Sequence, residues 1–315
     1  MPNILVTGGA GFIASSLAER LAEEPSNQIV IVDNFVTGNE QNIPHSHHEN
    51  IRFVKCDVND LSDISAIFFS TNFDYVFHYA ALVGVQRTLK NPVRVMNDLD
   101  GIRNILSLSK NTGVKRIFYS SSSEVYGEPF ESPQNERTTP LNSRLPYAIV
   151  KNAGEAWLRA YHQEYGLPYT IFRFFNTYGP KQSSDFVISK FIKKALRNED
   201  ITIYGDGLQT RTFCYIKDNT NACAQIFQEG AYINDVVNIG SDNEITILEL
   251  ANIIIRLTNS SSKIVHLPPL EEGDMTRRKP DIAKMKGVLK EELTSLEKGL
   301  LSVVECIKPT LNVRN

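Results

Sequence analysis

Cysteine is scarce and dispersed. The four residues, Cys56, Cys214, Cys223 and Cys306, lack the paired spacing of a zinc site or of a disulfide framework. They read as reduced thiols, which points to a cytoplasmic protein. An excess of charge is also missing: 33 basic against 36 acidic residues leave a net −3, so the basic footprint of a nucleic-acid-binding surface is excluded. No apolar run approaches the ~20 residues that span a bilayer. The chain opens directly into an apolar run with no leader-like segment, and no membrane partner is expected. Internal repeats and low-complexity tracts are absent. His45, His47 and His48 cluster, but no carboxylate or cysteine stands around them at ligand spacing. They read as a solvated loop, and no metal is expected.

What is present suits one large domain or two smaller ones with a sizeable core: 315 residues, 42% hydrophobic and 22% charged. Asn3–Thr7 is a short apolar run. A glycine turn follows, then a helix opening at Phe12 and Ile13 and running to about residue 24. Gly8 and Gly11 allow a tight turn and a close approach of a pyrophosphate to the helix N-terminus. The spacing Gly8, Gly11, Ala14 keeps a small residue where helix and strand pack. Residues 29–33 read as a second strand ending in Asp33, followed by Asn34. An acid there accepts hydrogen bonds from the ribose of NAD and repels the 2′-phosphate of NADP, so NAD is the expected cofactor. A third strand, 51–56, ends beside Asp57 and Val58, where an adenine can be held. A fourth, 75–81, ends in Ala80 and Ala81, small enough to leave room for a cofactor. Residues 93–110 read as one long helix, 115–120 as a buried strand and Tyr169–Phe174 as another.

This alternation predicts an α/β fold with a doubly wound parallel (Rossmann) sheet that binds NAD over residues 1–175. A smaller, interleaved substrate-binding region is expected over residues 176–315. It would comprise a helix at 186–198, the strand Ile201–Tyr204, a strand near 236–239 able to return to the first sheet, an amphipathic helix at 247–257, a polar turn at 260–262 and a charged loop at 268–279.

The chemistry concentrates at residues 122–151. Tyr147 and Lys151 stand four apart at the start of a helix that Pro146 opens and Gly166 and Pro168 close, so they share a face. An ammonium beside a phenol favours the phenolate. Ser122, at the end of the preceding strand, can bond the same substrate hydroxyl. Three such groups can take a proton from an alcohol while a cofactor takes the hydride. A Tyr-x-x-x-Lys pair arises by chance in many helices; the glycine turn and the serine-rich strand end give this one its weight.

Several motifs together carry a resemblance over nearly the whole chain: Thr7-Gly8-Gly9-Ala10-Gly11-Phe12-Ile13, Asp33, Tyr147-x-x-x-Lys151, Arg173-Phe174-Phe175-Asn176-x-Tyr178-Gly179-Pro180, Ile203-Tyr204-Gly205-Asp206-Gly207-x-Gln209-Thr210-Arg211, and Arg277-Arg278-Lys279-Pro280-Asp281-Ile282. The chain resembles the extended short-chain dehydrogenase/reductases that modify nucleotide sugars, with Ala14 where that family usually has glycine. The resemblance implies tightly held NAD, a nucleotide-diphosphate-sugar substrate and a homodimer. It assigns Ser122, Tyr147 and Lys151 to catalysis, and Asn176 and Arg211 to the diphosphate.

Members share oxidation of the sugar at C4 and diverge afterwards. Ser123-Glu124 is the discriminating pair. The dTDP-glucose 4,6-dehydratases have Asp-Glu there, UDP-glucuronic acid decarboxylases have Ser-Glu, and simple 4-epimerases usually lack the carboxylate. The 277–282 segment also resembles the decarboxylases, where an arginine, here Arg278, could bind a C6 carboxylate. The surroundings of Tyr147, Arg144-Leu145-Pro146-Tyr147-Ala148, look closer to the epimerases. Decarboxylation or dehydration, with Glu124 joining the catalytic set, is therefore the expected chemistry. UDP-hexose 4-epimerisation is the alternative, and a non-catalytic NAD-binding sensor the remote one.

Overall fold

The computed structural model describes residues 1–44, 48–128, 130–269 and 277–312. His45, His47 and most of the expected 268–279 loop lie outside the described residues. Six strands follow in chain order: β1 (Asn3–Thr7), β2 (Gln28–Asp33), β3 (Ile51–Lys55), β4 (Tyr75–His78), β5 (Arg116–Ser122) and β6 (Tyr169–Phe174). With the later strand Asp235–Ile239 they form one parallel sheet in the order Asp235–Ile239, β6, β5, β4, β1, β2, β3. The order reverses between β1 and β4. A crevice opens at such a point beyond the carboxyl ends of the strands.

The near-continuous apolar runs follow from burial on both faces. Alternate side chains leave each strand in opposite directions. Ile4, Val6, Ile31, Phe118, Phe172 and Val237 pack with Leu17 and Leu21 of helix α1 (Phe12–Ala22) and Ile226 of the helix Ile216–Gln228. Leu5, Val30, Val76, Ile117 and Ile171 pack on the other face. They meet Phe68 of helix α2 (Leu61–Ser70), Ile105 of the helix Asp98–Thr112 and Leu158 of the helix Pro146–Tyr165. A third core joins the helices Val187–Leu196, Ile247–Thr258 and Leu296–Asn312 around Phe191, Ile203, Leu250 and Val303.

The strand expected near 236–239 does return to the sheet, where Asp235–Ile239 pairs with β6. The long helix expected over 93–110 is instead two, Pro92–Met96 and Asp98–Thr112, interrupted at Asn97. Asp98 and Asp100 fall in the first turn of the second helix, where a carboxylate meets the positive end of the helix dipole. Pro146 occupies the first turn of its helix, and Gly166 ends it at φ +69°. Among the described residues, no helix is long and apolar enough to cross a membrane.

Candidate active site

A cavity of about 530 Å³ runs along the carboxyl ends of β1, β2, β4 and β5 and reaches the 176–188 segment and Arg278. Its cofactor-side geometry begins at Gly8. With φ at +73°, and with an added Cβ only 2.9 Å from the backbone of Ala80, this position admits only glycine. Gly11 has an ordinary φ of −79°, so its requirement is space: an added Cβ would meet the Gly8 carbonyl at 2.9 Å. Helix α1 then starts with no side-chain cap and no acid in its first turn, so its leading N–H groups are available to an anion. Asp33 is buried. One carboxylate oxygen accepts the Ala10 N–H at 3.0 Å and the other the Phe35 N–H at 2.7 Å. Burial pushes its pKa up against these two bonds. Asn34 donates to Asp57 at 3.0 Å, tying the ends of β2 and β3 together. Phe12, Ile13, Val58, Ala80 and Ala81 complete this wall. Orphan helix N–H groups, a glycine cradle and a carboxylate one strand away fit a dinucleotide.

Ser122, Ser123, Glu124, Tyr147 and Lys151 line the same cavity further along. Ser122 closes β5 and accepts the Glu124 N–H at 3.2 Å, which starts a 3₁₀ turn over Ser123–Tyr126. The expected phenolate-favouring effect of Lys151 is not what dominates Tyr147. Burial raises the phenol's pKa, the Glu124 and Asp98 carboxylates raise it further, and the Ser122 hydroxyl lowers it. Lys151 is held elsewhere: its ammonium donates to Ser120 Oγ at 3.3 Å, 5.8 Å from the centre of the Tyr147 ring. Burial brings Lys151 down to about 8, with Asp98 opposing.

Arg278 arrives from far along the chain. It is buried, and its Nη1 bonds Glu124 at 2.9 Å and Ser123 Oγ at 3.4 Å. Its segment is anchored on one side by Arg277, which forks onto Glu244 at 2.6 and 2.8 Å. On the other side Gln134 N–H donates to Lys279 O and Asp281 N–H to Gln134 O. Asn176 lines the cavity and donates to Thr212 O at 3.2 Å. Arg211 does not line it; its guanidinium turns back onto the Thr210 carbonyl at 2.7 Å. It sits on the short strand Thr210–Thr212, in which Thr212 is the residue that meets Asn176.

Sequence reasoning missed three groups. Asp98 lines the cavity and accepts the Leu82 N–H at 2.7 Å. Ser120 contacts Lys151. Behind the site, Glu155 accepts Ser121 Oγ at 2.6 Å and two bonds from Arg173 at 2.9 and 2.7 Å. Arg173 passes to Tyr126 Oη at 2.9 Å, Tyr126 to Asn238 at 2.7 Å, and Asn238 to the Gln134 carbonyl at 2.9 Å. Only the serine run 120–123 signalled any of this. Among the described residues, no group of three His, Cys, Asp or Glu side chains is arranged to hold a metal.

A doubly wound sheet with a dinucleotide cradle and a serine, tyrosine and lysine at its end defines an NAD-dependent dehydrogenase-type scaffold. The chain belongs to the NAD dependent epimerase/dehydratase family, whose model matches residues 4–240. It is an NAD-dependent enzyme of that family. It is similar to a UDP-N-acetyl-alpha-D-glucosaminuronate decarboxylase of Bacillus cytotoxicus, 36% identical with 98% of each chain covered. UDP-glucuronic acid decarboxylase 3 of Arabidopsis thaliana is also 36% identical, over 98% of this chain and 90% of that protein. The crystal structure of a UDP-glucose 4-epimerase of Thermotoga maritima with UDP-glucose superposes with a TM-score of 0.91. It is 33% identical, over 98% of this chain and 99% of the other.

Proposed function

We propose that the protein decarboxylates a nucleotide-diphosphate uronic acid through a 4-keto sugar. The observation that carries this reading is Arg278, a cation only 6% exposed and delivered into the cavity beside Glu124 and Ser123. An arginine fork suits a carboxylate by its geometry. The two decarboxylase relatives, matched over almost the whole chain, support it. Residues 1–175 carry the cofactor, and Asn176 with the later region holds the nucleotide diphosphate. Tyr147 Oη takes the proton of the sugar 4-hydroxyl, with Ser122 bonded to the same oxygen and Lys151 below. NAD, when bound, supplies the acceptor and later the donor of hydride. Oxidation at C4 makes the uronate a β-keto acid: the C5–C6 bond breaks, carbon dioxide leaves, and C5 takes a proton. Glu124, or a water it holds, steers that proton. The four thiols are free, three of them buried, which accords with a cytoplasmic site of action.

One observation favours a second reading. Arg278 Nη1 is already closed on Glu124 without a substrate carboxylate, and 4-epimerisation of a neutral hexose needs none. Incubation with UDP-glucuronate and with UDP-glucose, followed by product mass and chromatographic retention, decides. The expected result is loss of carbon dioxide from the uronate. A product from UDP-glucose of unchanged mass but separate chromatographic retention, with the uronate untouched, establishes the epimerase instead. Arg278→Ala should lower kcat/KM for the uronate by roughly 10- to 150-fold, the worth of a charge-assisted bond of about 1.5–3 kcal/mol. Neutral sugars should lose little. Equal losses for both would assign Arg278 to the fold.

The assembly we propose is a homodimer built on the helices at 92–112 and 146–165. They expose apolar side chains, Val93 at 76%, Ile149 at 43% and Tyr165 at 53%, the kind of surface that interfaces cover. Light scattering at micromolar concentration should give twice the chain mass, and Ile149→Asp should shift it toward the monomer. A monomeric unaltered protein would end this assignment.

A further inference from the structure

We propose that Ser120 is a positioning residue for the Lys151 ammonium. The inference rests on the NAD-dependent chemistry of the family and not on the choice of a uronate substrate.

Lys151 Nζ donates to Ser120 Oγ at 3.3 Å, and Ser120 Oγ donates to the His78 carbonyl at 3.3 Å. Lysine and serine are both buried. The hydroxyl therefore presents a lone pair to the ammonium, with its own proton directed to the backbone of β4. An ammonium has three protons and a long, freely rotating stem; this bond selects its direction. The titratable groups facing it are Tyr147 and Tyr119, with ring centres 5.8 and 5.0 Å away, His78 from β4 and Asp98 from its helix. Glu124 faces Tyr147, and Asp57 faces Asp98.

His78 contributes no charge. Thr7 Oγ1 accepts the Tyr79 and Ala80 N–H groups, each at 3.1 Å, so its single proton goes to His78 Nδ1 at 2.9 Å. The imidazole is neutral, protonated on Nε2, as its burial and the nearby Lys151 also require. The lone pair of Ser120 therefore favours the charged form of a lysine whose burial disfavours it.

Competitive acylation of the full-length protein with acetic anhydride over the neutral to alkaline range, read by peptide mass spectrometry, gives the Lys151 midpoint with no substrate present. Ser120→Ala should lower that midpoint by roughly half to one pH unit, with the other lysines unmoved. Ser120→Thr, which keeps the hydroxyl, should retain it, and Ser120→Gly provides a second deletion should the alanine variant misfold. Midpoints equal to the unaltered protein's in the folded deletion variants, or an equal shift in Ser120→Thr, would overturn the proposal.

Discussion

Tyr147→Phe is expected to lower turnover by on the order of 10²–10⁴-fold, the usual worth of a positioned proton-transfer group, while NAD and nucleotide sugar remain bound. The phenol oxygen is the one atom lost, and the ring keeps its place on a helix fixed by Pro146 and by the packing of Val150 and Leu158. The surroundings show why no neighbour substitutes. Ser122 is a hydroxyl without an adjacent base of its own, and the Glu124 carboxylate is engaged with Arg278. Burial, Glu124 and Asp98 hold the phenol protonated and Ser122 opposes them. Phenolate formation therefore falls on the alkaline side, so turnover of the unaltered protein should rise with pH there, and that rise should vanish in the phenylalanine variant. Product mass spectrometry and the NAD released on denaturation measure the two halves of the prediction. Residual turnover near a tenth of the unaltered rate would show that another group takes the proton.

Glu155→Ala should destabilise the fold by about 3–5 kcal/mol, since removing one member of a buried ion pair strands the other. Arg173 is only 2% exposed, and its Nε and Nη2 would lose both oxygens they now meet. Urea unfolding read by circular dichroism provides the check, with a double change of Glu155 and Arg173 to apolar residues as comparison. The double variant should recover much of the loss, because the uncompensated charge is gone. The pair also sets a pH dependence. Burial raises the pKa of Glu155, but the Arg173 and Ser121 bonds outweigh it and leave the carboxyl below its ordinary 4.5. A depressed carboxyl stabilises the fold fully above its unfolded pKa. That contribution should fade as pH falls below about 4.5 toward the lower folded value. An alanine variant as stable as the unaltered protein would show that water or a side-chain shift satisfies Arg173.

The parts of the site legible in the sequence are those whose chemistry is local. Gly8 and Gly11 lie within one turn, Asp33 ends a strand, and Tyr147 and Lys151 share a helix face through a four-residue spacing. Arg278 and Glu124 are 154 positions apart, and only the resemblance brought them together. The Glu155, Arg173, Tyr126, Asn238 chain draws on a helix, strand β6, a 3₁₀ turn and the returning strand. No periodicity encodes such a set. The direction of the Tyr147 shift was also beyond the sequence, which shows a neighbouring lysine but not burial or the Glu124 carboxylate. The interruption at Asn97 was hidden because the residues on both sides are compatible with helix.

The returning strand Asp235–Ile239 has a consequence for synthesis. Until residue 239 has left the ribosome, β6 is an edge strand whose outer ladder, Thr170 through Phe174, has no partner. An apolar edge of this kind is a template for pairing with other chains. A fragment ending at Phe175 would keep the whole cofactor fingerprint yet carry that raw edge permanently. It would also lack Asn238, the link between Tyr126 and the Gln134 carbonyl. The first 175 residues therefore leave this edge open until chain made about sixty residues later covers it.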